Sequence, residues 1–213
     1  MTFEEYVDGR TIAIVGPAPM PRDQSAEIDA HDLVYRPAHS PIGGDRGQRI
    51  DIAYLNGHLG RAIYDDDQQA HLKRIQGADW WVYKGSTSMA GRLQGNWRRS
   101  IRPDLRMNLN AVTGILFDLM QFSSGPITVY GADLYAGGPG NAYSAEYDRR
   151  DAAGQAQGVI LHDPWKQMRV HRACYSTGRV VGDDRYVAAV TMTDQEYQTV
   201  IDRWAAVLEE ANA

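Results

Sequence analysis

Short, continuous apolar runs recur at intervals along this chain. The first run, Thr11-Ile12-Ala13-Ile14-Val15, is followed at once by Gly16-Pro17-Ala18-Pro19. Runs that are apolar at every position are typical of strands buried on both faces, as in a parallel sheet covered by helices. Further strands are predicted at Leu33–Tyr35, Ile50–Leu55, Trp80–Tyr83, Ile127–Tyr130 and Val159–Leu161.

Helical patterns occupy several of the intervals between these runs. From Ala111 onward the apolar residues follow helical spacing, Asn110 is a candidate N-cap, and Gly125-Pro126 ends the segment. Further helices are predicted over 65–75, after the start signal Asp163-Pro164, and after the capping box of Thr193 and Glu196. Strands that alternate with helices favour an α/β fold. We therefore predict a single Rossmann-like α/β domain over residues 1–213, with a mainly parallel sheet flanked by helices.

The composition narrows the class of protein. The 213 residues include 22 Lys and Arg and 27 Asp and Glu, so the formal charge is −5, whereas nucleic-acid binding needs a basic face. No stretch approaches the roughly 18 apolar residues of a membrane span. The segment Met1-Thr2-Phe3-Glu4-Glu5 is acidic where a secretory signal would be basic, and the single cysteine, Cys174, cannot form an internal disulfide. We predict a cytoplasmic protein with no nucleic-acid partner and no membrane span.

Three segments are candidates for ligand binding on residue type alone. Ligands of α/β proteins bind beyond the carboxyl ends of the strands, where Gly16-Pro17-Ala18-Pro19 lies, although a tight turn has the same composition. Asp65-Asp66-Asp67 could hold a metal ion, but the block begins a predicted helix, where carboxylates complement the helix dipole. Gly137-Gly138-Pro139-Gly140 predicts only a flexible loop.

Histidine is the side chain best suited to proton transfer near neutral pH, and one of the six histidines has a distinctive position. His162 follows the predicted strand Val159–Leu161 and precedes the helix start Asp163-Pro164. The N-terminus of a helix disfavours the imidazolium form, so the ring would stay neutral and able to accept a proton. The alternative is a surface or capping histidine. No pair of histidines has a recognised zinc spacing.

Several segments resemble, in order and separation, the motifs of the eukaryotic-type sialyltransferases (glycosyltransferase family 29). The long motif is similar to Ala13–Gly16, to Glu27–Arg36 with its Ile-Asp-x-His-Asp-x-Val-x-Arg core, and to Gly47-Gln48-Arg49. The short motif is similar to Thr113-Gly114-Ile115-Leu116, running on to Val129-Tyr130-Gly131. The very short motif, His-x4-Glu, is similar to His162 through Gln167, followed by Gly178-Arg179-Val180. The resemblance covers residues 11–182.

The resemblance implies a specific chemistry. Members of that family fold as one nucleotide-binding α/β domain, use CMP-activated sugars, and invert the anomeric centre without a divalent metal or other cofactor. It implies that His162 is the catalytic base on the acceptor hydroxyl. The donor-binding residues that follow from it are Gly16, Pro17, Ala18, Arg36, Asn56, Thr113, Gly114 and Tyr143.

The chain departs from the family pattern at several positions. Pro17 and Ala38 stand where the family has asparagines that contact the nucleotide, Gln167 replaces the glutamate of the very short motif, and the cysteine pair is absent. The expected partners are a CMP-linked acidic sugar, sialic acid or a Kdo-like sugar, and a glycan or small-molecule acceptor. Two alternatives stay open: a CMP-sugar hydrolase with the same base, and a nucleotide- or sugar-binding protein without turnover.

Overall fold

The strands form one parallel sheet. The computed structural model describes residues 1–38, 40–55, 75–84, 97–101, 109–143 and 151–212. Within these residues the sheet has seven strands in the order β5-β4-β3-β2-β1-β6-β7, and every pairing is parallel. The strands are β1 (Ile12–Val15), β2 (Leu33–Pro37), β3 (Ile52–Leu55), β4 (Trp80–Lys84), β5 (Trp97–Ile101), β6 (Ile127–Tyr130) and β7 (Val180–Gly182).

The strand residues have the burial that their composition predicts. All four side chains of β1 and all four of β3 are buried, and the five predicted strands from β1 to β4 and at β6 are confirmed. A parallel strand covered on both faces has no polar side to present to water, so an unbroken apolar run is its natural sequence. The predicted α/β, Rossmann-like fold class is therefore confirmed.

Helices connect and cover these strands. They are α1 (Phe3–Val7), α2 (Ser25–Asp29), α3 (Ala111–Phe122), α4 (Ala152–Leu161), α5 (Pro164–Tyr175), α6 (Asp184–Thr191) and α7 (Asp194–Ala211). The predicted caps are confirmed at Asn110, at Asp163 and in the capping box of Thr193 and Glu196. The helix predicted over 65–75, with Asp65-Asp66-Asp67, falls almost entirely outside the described residues. None of the described helices has both the length and the apolar character needed to cross a bilayer.

The strand predicted at Val159–Leu161 is wrong, because these residues form the last turn of α4. Asp151 caps this helix by accepting a hydrogen bond from the Gly154 amide at 2.8 Å, and Ala and Gln residues favour its propagation. Ile160 and Leu161 are 40% and 65% exposed, which a strand buried on both faces would not allow. A short apolar run does not by itself distinguish a buried strand from one turn of a helix.

Two glycines allow close packing near the carboxyl edge of the sheet. A Cβ on Gly16 would lie 2.5 Å from the carbonyl oxygen of Gly131, so the loops after β1 and β6 touch there through their backbones. A Cβ on Gly114 would lie 2.7 Å from the hydroxyl oxygen of Tyr54, so this glycine lets α3 pack against the end of the Tyr54 side chain, which comes from β3. Both positions exclude any larger residue unless the neighbouring segment moves.

Candidate functional site

A cleft opens at the point where the strand order reverses. From β1 the chain builds the sheet outward to β5 on one side, and then returns to place β6 on the other side of β1. The loops that follow β1 and β6 diverge at this switch point, which is where open α/β sheets bind their ligands. The cleft is open to solvent, and its volume is about 590 Å³ when this open space is included. Its lining residues are Pro17, Ala18, Pro37, Asn110, Ala111, Val112, Gly131, Ala132, Asp133, Leu134, Tyr135, Ala142, Tyr143 and His162.

Part of the predicted site comes together in this cleft. Pro17, Ala18, Tyr143 and His162 all line it, although they come from three distant parts of the sequence. Gly16 lies directly beneath, at the contact between the two diverging loops. The loop after β1 and the segment before α5 therefore lie beside the same cleft.

Other predicted residues lie outside the lining. Arg36 and Thr113 are fully buried, and Gly114 is packed against Tyr54. Asn56 lies outside the described residues.

The N-terminus of α3 forms one wall of the cleft. Asn110 caps the helix by accepting a hydrogen bond from the Thr113 amide at 2.9 Å, and its side-chain amide donates to the hydroxyl of Tyr135 at 2.9 Å. The amides of Ala111 and Val112 belong to the first turn and have no acceptor within the helix. These amides and the positive end of the helix dipole favour an anionic group such as a phosphate in the cleft.

Backbone strain is concentrated around the cleft. Three residues other than glycine adopt positive φ in the part of the chain that the structure describes: Leu134 (52°), Tyr135 (69°) and Asp163 (49°). Leu134 and Tyr135 line the cleft, and Asp163 follows the lining residue His162. Such conformations cost about 1–3 kcal/mol each and persist where the surroundings impose them, commonly at ligand sites.

The strained turn after β6 is held by buried polar contacts. Asp133 accepts hydrogen bonds from the amides of Tyr135 and Gly137 and from the guanidinium of Arg185. Burial raises the pKa of the Asp133 carboxyl, while Arg185 acts in the opposite direction. The carbonyls of Leu134 and Tyr135 accept hydrogen bonds from two side chains of α7, the Tyr197 hydroxyl at 2.8 Å and the Trp204 indole at 3.1 Å. The C-terminal helix therefore fixes this wall of the cleft.

His162 lies between two helix ends rather than at the end of a strand. It is the C-cap of α4, and Asp163, the N-cap of α5, follows it. The negative end of one helix dipole and the positive end of the other therefore meet at this residue. Because the two act in opposite directions, the predicted electrostatic reason for a neutral ring no longer holds. What the structure does give His162 is a place on the rim of the cleft.

Two buried arginines support the loop after β1. Arg46 donates hydrogen bonds to the carbonyl oxygens of Gly16 (3.2 Å) and Ala18 (2.9 Å). Arg36 donates to the carbonyls of Arg49 (2.8 Å), Pro41 (3.2 Å) and Arg46, and burial lowers its pKa to about 10. Arg36 thus holds the segment that carries Arg46, and Arg46 holds the lining loop. The sequence motif pointed to Arg36 but gave no signal for Arg46.

The Thr113 hydroxyl belongs to a buried cluster beneath the cleft. It lies 3.0 Å from Nε2 of His171, and Nδ1 of the same ring lies 3.1 Å from the hydroxyl of Tyr186. Both ring nitrogens are therefore satisfied within the protein, and burial lowers the pKa of His171 to about 3, so this imidazole is neutral.

We expect Thr113→Val to lower the free energy of unfolding by about 1–3 kcal/mol, because it leaves a buried imidazole nitrogen without its partner. The affinity for CMP, the nucleotide that the sequence resemblance predicts, should stay within twofold, because the hydroxyl bonds to His171 and Thr113 does not line the cleft. Urea unfolding and titration with CMP measure the two quantities. A tenfold loss of affinity at unchanged stability would contradict this role and favour direct donor contact.

Among the residues that the structure describes, no group of three or more His, Cys, Asp or Glu side chains is arranged to hold a metal ion.

Comparison of the sequence with protein-family models gave no match, and a search of the curated proteins gave none either.

Proposed function

We propose that this protein is a metal-independent, inverting glycosyltransferase that uses a CMP-activated acidic sugar, sialic acid or a Kdo-like sugar, with His162 as general base. One observation carries the proposal: His162, Tyr143, the loop Pro17-Ala18 and the N-terminus of α3 all line one cleft at the switch point. A histidine next to a wall that favours phosphate is the minimum that such a transfer requires.

Each wall of the cleft has a part in the proposed reaction. The amides of Ala111 and Val112, which have no acceptor within α3, receive the donor phosphate, and the loop after β1 provides an apolar surface for the nucleoside. Tyr143 is half-buried and packs edge-to-face against Tyr135, with ring centroids 6.2 Å apart, so its ring has a defined place beside the donor. The acceptor enters from the side of His162.

The transfer step needs only positioning and one proton acceptor. The acceptor oxygen forms a bond to the anomeric carbon as the bond from that carbon to the phosphate oxygen breaks. CMP leaves with the electron pair of the broken bond, and the acceptor proton passes to the imidazole of His162. General-base catalysis of this kind contributes about 10²–10⁴-fold, and holding the donor and the acceptor together in one cleft lowers the barrier further.

Incubation with CMP-sialic acid, with and without a panel of acceptor sugars and in the presence of EDTA, tests the proposal. A glycoside product that forms despite EDTA supports it. Free sugar and CMP at the same rate with or without acceptor would instead identify a hydrolase, and binding of the donor without turnover would identify a binding protein. A requirement for manganese would overturn metal independence and direct attention to Asp65-Asp66-Asp67.

Nucleotide selectivity gives a prediction that does not depend on the acceptor. A ligand that binds only the native state at 100 times its dissociation constant stabilises that state by about 2.7 kcal/mol. For a chain of this length, we expect CMP to raise the melting temperature by about 5–10 °C. UDP and GDP at the same concentration should raise it much less, and thermal unfolding measures all three. A larger shift with UDP than with CMP would contradict the donor assignment.

A further inference from the structure

One buried glutamine connects two walls of the cleft. The side-chain amide of Gln167 donates a hydrogen bond to the carbonyl oxygen of His162 at 2.5 Å. The side-chain oxygen of Gln167 accepts one from the backbone N–H of Asn110 at 3.2 Å. His162 and Asn110 both line the cleft, whereas Gln167 itself is fully buried behind them. A single side chain therefore joins the segment that carries the proposed base to the N-terminus of α3.

A second contact on the same face of α5 strengthens this connection. His171 follows Gln167 by one helical turn, and it lies 3.0 Å from the hydroxyl of Thr113, three residues after Asn110. The two side chains thus hold the first turn of α3 at its N-cap and at its third residue. The backbone N–H of Gln167 also donates a hydrogen bond to the carbonyl oxygen of Asp163 at 3.3 Å. This bond fixes the backbone of Gln167 within the first turn of α5.

These two contacts of Gln167 need one donor and one acceptor, and a neutral amide supplies both. One partner is a carbonyl, which needs a donor, and the other is an N–H group, which needs an acceptor. A glutamate here could accept from Asn110, but its carboxylate has no hydrogen for the carbonyl of His162. It would also place a charge among fully buried groups. The contacts thus give a physical reason for glutamine where the similar motif has glutamate.

We propose that Gln167 is a positioning residue, which sets the place of His162 relative to the phosphate-binding wall at the N-terminus of α3. The role of His162 as base rests on the proposed function. The position of the His162 ring does not depend on the proposed function, because that position can be measured in a protein that has no turnover.

The test uses Gln167→Met, which keeps the volume and removes both hydrogen bonds, and Gln167→Glu, which removes only the donor. Gln155→Glu is the matched control: Gln155 is also buried, at 9% exposure, on the preceding helix α4 and outside the lining of the cleft. Histidine-selective labelling reports the His162 ring by NMR, assigned with a His162→Asn sample. Kinetics with CMP-sialic acid report kcat and KM.

Both Gln167 variants should shift the His162 ring resonances and lower kcat by at least tenfold, with KM for the donor changed less than threefold. Gln155→Glu should leave the His162 ring resonances at their parental positions and kcat within twofold of the parental value. The inference is overturned if Gln167→Met keeps the parental resonances and kcat, or if Gln155→Glu changes both as much as Gln167→Glu does. If Gln167→Met does not fold, Gln167→Glu supplies the same measurements. If the parent protein has no turnover, the proposed function fails, and the ring resonances alone decide the positioning role.

Discussion

Replacing His162 with alanine is expected to lower turnover by about 100-fold or more and to leave CMP affinity within a few-fold. The reason is that this imidazole is the proton acceptor of the proposed reaction, while the phosphate contacts come from a different wall of the cleft, at the N-terminus of α3. Initial rates with saturating CMP-sialic acid and acceptor give kcat, and calorimetric titration with CMP gives the affinity.

His31→Ala is a suitable control for this substitution. His31 lies in the turn before β2 and outside the lining of the cleft, and its ring bonds to the Glu27 carbonyl (2.9 Å) and the Thr128 hydroxyl (3.1 Å). The control should keep kcat within twofold of the parent even if it loses stability. A well-folded His162→Ala protein with parental kcat would remove His162 from the reaction. A binding protein, or transfer by another base, would then explain the cleft better.

Most of the described sheet could be predicted because its strands obey one simple rule. A strand buried on both faces is mostly apolar, so the apolar runs of β1, β2, β3, β4 and β6 are visible without any knowledge of their partners. The edge strands β5 and β7 were not predicted. The sequence of β5, Trp97-Arg98-Arg99-Ser100-Ile101, has three polar residues, and β7 has only three residues with Val181 exposed. Edge strands pair with only one neighbouring strand, and they are commonly short or carry charged residues, so they lack a continuous apolar run.

The site was predicted only where its residues carry motifs. Among the predicted site residues, Pro17, Ala18, Tyr143 and His162 line the cleft, whereas none of the lining residues 132–135 was predicted. Their signal is conformational: Leu134 and Tyr135 adopt left-handed backbone angles that these residue types rarely take, and contacts with α7, about 60 residues later in the chain, impose them. Strain that distant contacts impose leaves no local pattern in the sequence. Asp133 is the one local clue, since an aspartate can accept hydrogen bonds from the amides that follow it, as it does here from Tyr135 and Gly137.

Acid is expected to destabilise this protein through His171, a residue that no sequence motif singled out. Burial lowers the pKa of His171 to about 3 from an ordinary value of 6.5, so the folded protein keeps this ring neutral while the unfolded chain takes up a proton below pH 6.5. The unfolded state then binds more protons than the folded state, and stability falls as the pH falls. The slope is about 1.4 kcal/mol per pH unit, which amounts to about 3 kcal/mol between pH 6.5 and pH 4.

Urea unfolding of the parent and of His171→Gln across this pH range measures the contribution. Glutamine does not titrate, and it leaves the exposed carboxylates of both proteins unchanged, so the difference between the two curves isolates the imidazole. The variant should be less stable at pH 7, because it disturbs the contacts with Thr113 and Tyr186. Its disadvantage should narrow by about 3 kcal/mol on going to pH 4, because it lacks the proton uptake that weakens the parent. Parallel curves would show that His171 binds its proton equally well in both states. The buried contacts of His171 with Thr113 and Tyr186 would then have to tolerate a protonated ring, and they would not fix α3 against α5 beneath the cleft.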